Sequence, residues 1–118
     1  MRGLTLIVAT GDPERLRAAL TLAAANAALG GRTRVYFHEG AVALLVGDDA
    51  NVADLRAQGL PSRSDLIAAM IESGVTLIAC QTGLALAGLA EGALPDTVQT
   101  GGLIGLLADM GDDRLDMI

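Results

Sequence analysis

Glu72-Ser73-Gly74-Val75-Thr76-Leu77-Ile78-Ala79-Cys80-Gln81-Thr82-Gly83-Leu84-Ala85-Leu86-Ala87-Gly88-Leu89 is the stretch from which the fold is read. Val75 to Ala79 is a short apolar run with β-branched residues after a glycine, the pattern of a strand buried on both faces of a parallel sheet. Cys80 closes that run. Gln81-Thr82-Gly83 is turn-like, and Leu84, Ala87 and Gly88-Leu89 fall at helical spacing, so the thiol lies where a strand ends and a helix begins. Unpaired N–H groups and the positive end of a helix dipole favour a thiolate there over a thiol. The bland alternative is a small buried hydrophobe, which a lone cysteine in apolar surroundings most often is.

Outward from this stretch the same alternation repeats. Leu4 to Ala9 reads as a first strand, apolar throughout and stopped by Thr10-Gly11. Asp12 is then a good N-cap, Pro13 a good first helical residue and Glu14 a complement to the dipole, so a helix runs from there to about Leu29, before Gly30-Gly31. Leu16, Leu20, Ala23, Ala24 and Ala27 form its core stripe. Its second half, Leu22 to Leu29, has almost no polar face and is a candidate subunit contact. Arg34 to Phe37 is the second strand, with His38-Glu39-Gly40 as its exit. Ala41 to Val46 reads as a short helix or turn over the edge near His38, Gly47 to Asn51 as a solvated acidic loop, and Asn51 to Leu60 as weakly patterned. Ser62 and Asp65 stand at capping-box spacing before a helix whose stripe is Leu66, Ile67, Met70 and Ile71. A fourth strand is expected at Thr97 to Thr100, a helix over Leu103 to Met110, and an edge strand at Arg114 to Ile118.

In a parallel α/β sheet all strands leave at one edge, so Gly11, His38 and Cys80 should gather where such folds bind ligands. His38 beside Glu39 is either a proton-transfer group and partner to a thiolate, or a histidine hydrogen-bonded at a strand end for structural reasons.

The run Ala79 to Leu89 resembles the cysteine segment of the DsrE/DsrF-like family, in which a strand, a cysteine and a short helix ending in Gly-Leu recur. Phe37-His38-Glu39-Gly40 and Val98-Gln99-Thr100-Gly101-Gly102 follow in the order that family would give them, so the resemblance covers nearly the whole chain. It implies a three-layer α/β/α sandwich around a five-stranded parallel sheet of order 4-3-2-1-5, spanning residues 1–118 as one domain. It also implies assembly into homotrimers or hexamers, and a sulfur-handling role in which some members carry a persulfide on this cysteine. The family's cysteine segment often has methionine or acidic residues just after the cysteine; this chain has Gln81-Thr82-Gly83-Leu84 there.

Composition limits the alternatives. The chain has 118 residues, 52% of them hydrophobic, with mean hydropathy +0.49. No apolar run reaches the roughly 20 residues that span a bilayer, so a subunit interface is the expected destination for the excess. The net charge of -6 and 2% aromatic content speak against nucleic acid, and the lack of a basic amphipathic segment against a membrane surface. All 8 basic residues are arginine, which excludes a Schiff-base or P-loop lysine. One cysteine and one histidine exclude an intramolecular disulfide, a CxxC pair and the common zinc sites; no metal or other cofactor is expected. The first residues lack the pattern of a signal peptide, so a cytoplasmic location, where a thiol stays reduced, is expected.

These readings converge on a sulfur relay in which Cys80 takes sulfur as a persulfide from a donor protein and hands it to an acceptor thiol. Such transfer needs one nucleophilic sulfur on the carrier. The N–H groups of Gln81, Thr82 and Gly83 would stabilise the charged sulfur, with His38 as proton donor and Gly11 at the shared edge. The alternative is a non-catalytic oligomeric assembly subunit with a structural cysteine. A thiol peroxidase fits less well, because a resolving thiol and a Thr-x-x-Cys motif are absent.

Overall fold

The computed structural model describes residues 1–118. Five parallel strands, β1 (Leu4–Val8), β2 (Thr33–Phe37), β3 (Thr76–Cys80), β4 (Gln99–Gly101) and β5 (Arg114–Met117), form one sheet in the order β4-β3-β2-β1-β5. The expected order holds. Every residue of β1 and β2 is buried, as strands covered on both faces require, the polar Thr5, Thr33 and Arg34 included. Helices α1 (Pro13–Ala28), α3 (Arg63–Glu72) and α4 (Gln81–Ala87) connect strands stepping one way across the sheet, whereas α5 (Leu103–Ala108) returns from one edge to the other. With right-handed crossovers the first three share one face and α5 alone covers the opposite one. No helix is long and apolar enough to cross a membrane.

Local signals set the helix starts. Asp12 Oδ1 accepts from the Glu14 N–H at 3.0 Å and Pro13 occupies the first turn of α1. Ser62 and Asp65 form the expected reciprocal capping box at α3. Ile67 and Met70 are buried from the stripe of α3, with Leu66 and Ile71 half-buried beside them. The segment Asn51 to Leu60, weakly patterned in the sequence, contains α2 (Val52–Ala57). The expected turn over the edge is a 3₁₀ helix, Glu39–Leu45, that buries Ala41, Val42, Leu44 and Leu45.

Three expectations need correction. The acidic loop is not simply solvated: Asp48 accepts from Ser62 Oγ at 3.0 Å, Ser64 Oγ at 2.6 Å and the Ser64 N–H at 3.2 Å, while Asp49 accepts from the Arg63 N–H at 2.8 Å. The pair therefore serves the free donors at the start of α3, a placement that puts negative charge on the positive end of the helix dipole. Hydrogen bonds from Ser64, despite opposing desolvation, hold the Asp48 carboxyl well below the ordinary carboxylate range. The fourth strand begins at Gln99, not Thr97, because Thr97 takes a left-handed turn conformation (φ 73°) and Val98 N–H bonds back to Pro95. Finally, α5 stops at Ala108, two residues early, where the carbonyls of Asp109 and Met110 are taken by the Arg32 guanidinium.

A buried ionic cluster joins α5 and β5 to the sheet. Asp113 accepts from Thr5 Oγ1 at 2.9 Å and from Arg32 at 3.0 Å; Arg34 donates to Thr5 at 2.9 Å and to the Leu106 carbonyl at 3.2 Å. Its Nε lies 3.8 Å from Asp113. Desolvation pushes the Asp113 carboxyl up, but Arg32, Thr5 and Arg34 together outweigh it and hold it below the ordinary range. Asn26, on the α1 face expected to be apolar, is also buried, donating to Thr33 and accepting from Arg114.

Candidate functional site

Cys80 is both the last residue of β3 and the residue from which α4 starts. Parallel pairing sets Tyr36 opposite Ile78 and Ala79 opposite Phe37, so with the period of two along a strand Tyr36, Ile78 and Cys80 share the α5 face. His38, one rung beyond Phe37, falls on that face too. On β4, Cys80 pairs with Gly101, which has no side chain to cover it. The result is a cleft of about 200 Å³ lined by Tyr36, His38, Glu39, Cys80, Gln81, Thr82, Gly101, Gly102 and Leu103.

Only 6% of Cys80 is exposed, and that opening faces the cleft. Burial pushes the thiol up. Against it act the polar donors nearby, the Tyr36 hydroxyl and the backbone N–H groups of Glu39, Gly83 and Thr82, and the sum brings the thiol below its ordinary value, although the sulfur makes no side-chain capping bond to α4. Tyr36 shows the reciprocal effect: burial, its hydrogen bond to Cys80 and the nearby charges of Cys80 and Glu39 all raise its phenol. These donors belong to β2, to the 3₁₀ helix and to α4.

Gly83 brings the 3₁₀ helix close to α4. A Cβ at this position would fall on the Glu39 carbonyl oxygen and on Val42 Cγ2, so the 3₁₀ helix can lie against α4 only because residue 83 has no side chain. Glu39 is held at φ 45°, an uncommon conformation for a residue with a Cβ, at the point where its carbonyl lies against Gly83.

The structure brings Cys80, His38, Gln81 and Thr82 to one cleft, while Gly83, packed against the 3₁₀ helix, is not among its lining residues. Gly11 is exposed in the β1–α1 turn and is not among the lining residues. His38 Nε2 lies 3.7 Å from Glu39 Oε1, its ring is tilted 32° to that of Tyr36 at 6.2 Å, and its Nδ1 is buried without a hydrogen-bond partner. Sequence reasoning missed Tyr36, which stood inside an apolar strand as one more core residue. The signal available was its hydroxyl, since a buried tyrosine usually finds a partner for it. No cluster of three or more His, Cys, Asp or Glu side chains suited to a metal ion is present.

A sequence model of the DsrE/DsrF-like family matches residues 3–114. The chain belongs to the DsrE/DsrF-like family. Its fold is similar to that of a protein of unknown function, MTH1491, from Methanobacterium thermoautotrophicum, at 14% identity and a TM-score of 0.73 over 100% of both chains. It is similar also to the ychN protein from E. coli, at 19% identity and a TM-score of 0.69 over 98% of this chain and 99% of that one. Both likenesses are of fold. Comparison with curated proteins gave no match. Within the DsrE/DsrF-like fold, the cleft at the C-terminal edge of β2, β3 and β4 is where this chain places its one thiol.

Proposed function

We propose that this chain is a sulfur-relay protein that carries sulfur as a persulfide on Cys80 and passes it to an acceptor thiol. The observation that carries the reading is the position of Cys80, the chain's one thiol, where β3 ends and α4 begins, in a cleft it shares with Tyr36, His38 and Glu39. In loading, the Cys80 thiolate attacks the outer sulfur of a donor persulfide, the donor thiolate leaves, and Cys80–S–SH forms. In unloading, an acceptor thiolate attacks that outer sulfur and Cys80 departs as thiolate. No electrons are gained or lost overall, so neither a redox cofactor nor a second cysteine in this chain is required. In this reading Gln81 and Thr82, which line the cleft, flank the incoming thiol, and His38 beside Glu39 exchanges a proton with it. The partners are then sulfur donor and acceptor proteins.

Assembly into a homotrimer or hexamer belongs to the same proposal. Leu103, Ile104 and Leu107 of α5, with Leu115 and Met117 of β5, leave large apolar side chains exposed, Ile104 at 89%. The short α5 is the one helix on its face, and another subunit would complete that layer.

Incubation with a small persulfide donor followed by intact mass measurement tests the carrier reading. Wild type should gain one sulfur atom and Cys80→Ser none. A wild type that gains nothing, or a serine variant that gains as much, refutes it.

A further inference from the structure

We propose that β5 is an interface strand, its outer edge pairing antiparallel with the same strand of a second copy so that one sheet runs through both subunits. The inference rests on the assembly reading and goes beyond it, naming the strand, the register and the symmetry of one contact.

The hydrogen bonds of β5 show which of its groups are free. The N–H groups of Arg114 and Ile118 donate to the Gly3 and Ile7 carbonyls at 2.8 Å each, and the Ile118 carbonyl accepts from Ala9. Alternate residues of a parallel strand bond to the same neighbour, so Arg114, Asp116 and Ile118 face β1, while Leu115 and Met117 turn their N–H and C=O groups outward. Nothing continues the sheet on that side: β5 is its last strand, and all four residues are exposed. The outward N–H of Met117 is met only by the carboxylate of its neighbour Asp116, at 2.9 Å. The other edge is less open, since β4 has three residues and Thr100 Oγ1 beside it donates to Glu91. A bare edge without proline is a template for another strand.

Charge selects the partner and the register. Antiparallel pairing through outward groups must set Leu115 and Met117 opposite themselves or each other. With Leu115 opposite Leu115 of the second copy, Arg114 of each copy faces Asp116 of the other, twice, as a twofold axis requires. Setting Leu115 against Met117 instead puts Asp116 opposite Asp116, a repulsive pair, and setting Met117 against Met117 leaves both charges without a partner. The first register also brings the two Leu115 side chains together on the α5 face, where Leu115 is 49% and Met117 66% exposed in one copy. The axis stands perpendicular to the sheet. Cys80, on β3, is three strands from the contact, so both clefts stay uncovered and open in opposite directions.

Native mass spectrometry of the full chain tests the pairing, and wild type should hold an even number of copies. Arg114→Asp and Asp116→Arg each turn two attractive pairs into two repulsive ones, which should weaken association about thirtyfold and halve the native mass. Mixed together, the two single variants should pair, because the new aspartate of one faces the new arginine of the other. The double variant Arg114→Asp/Asp116→Arg should regain the wild-type mass. Leu115→Pro covers a charge variant that folds poorly: it deletes one outward N–H, leaves every bond to β1 in place, and should halve the mass with an unchanged far-ultraviolet spectrum. An odd-numbered wild type such as a trimer, charge variants of unchanged mass, or a mixture that does not pair overturns the β5 contact and leaves assembly through the α5 helix standing. A monomeric wild type removes both.

Discussion

Replacing Gly83 by alanine separates close packing from helix propensity at the point where the site is assembled. In an ordinary helix interior this change stabilises by about 1 kcal/mol, because alanine has less backbone freedom to lose. Gly105 of α5 supplies that reference, since a Cβ there meets nothing within 4 Å. At Gly83 the new methyl would fall on the Glu39 carbonyl oxygen and on Val42 Cγ2. The carbonyl is backbone and cannot rotate aside, so α4 and the 3₁₀ helix must part. Overpacking of this kind costs about 1–3 kcal/mol, which exceeds the propensity gain. Gly83→Ala should therefore come out about 1 kcal/mol less stable than wild type and Gly105→Ala about 1 kcal/mol more stable. At about 4 °C per kcal/mol for a chain of this size, their thermal midpoints should stand about 8 °C apart. Parting the two elements also shifts the Glu39 and Gly83 N–H groups whose nearness favours the thiolate, so native Gly83→Ala should react more slowly with iodoacetamide at neutral pH. Equal stability of the two variants, with equal thiol reactivity, would refute the close-approach argument.

Asp113→Asn removes the carboxylate that faces Arg32 and Arg34 and leaves a buried guanidinium poorly compensated, at a cost of about 3 kcal/mol in urea unfolding. Asp113 and Asp48 both titrate lower in the fold than in the unfolded chain, so their stabilisation is complete above the unfolded carboxylate value, about 4, and is lost as pH falls through their folded values. Thermal midpoints measured downward from neutral pH should fall steeply below that point, and less steeply in Asp113→Asn; parallel curves would contradict the linkage. If copies of the chain meet through the α5 face, Ile104→Asp should lower the native mass without lowering the thermal midpoint of the resulting monomer, whereas an unchanged assembly would move the interface elsewhere.

What the sequence made legible was local. Asp12-Pro13-Glu14 and Ser62 with Asp65 carry their capping chemistry within four residues, so their helices start where expected. Cys80 was legible as a strand-to-helix junction for the same reason. The features missed depend on partners far along the chain. Asp48 and Asp49 read as loop carboxylates because the donors they serve are 14 and 16 residues away. Tyr36 reads as core until the β2–β3 register brings Cys80 beside it. Gly83 was read as an N–H donor, whereas what the structure shows of it is the lack of a side chain, which matters only because of where the 3₁₀ helix lies. The sheet order came from family resemblance, since apolar strands of similar length do not disclose which neighbours they choose.

Alkylation of native wild type by iodoacetamide across a pH series, beside the same protein in denaturant, tests the account where it is most exposed. The account predicts a single modification at Cys80 whose midpoint lies at lower pH in the native protein than in the unfolded chain, with the native thiol reacting faster at neutral pH. A native thiol that reacts only after unfolding, or with a midpoint at or above the unfolded one, would contradict it.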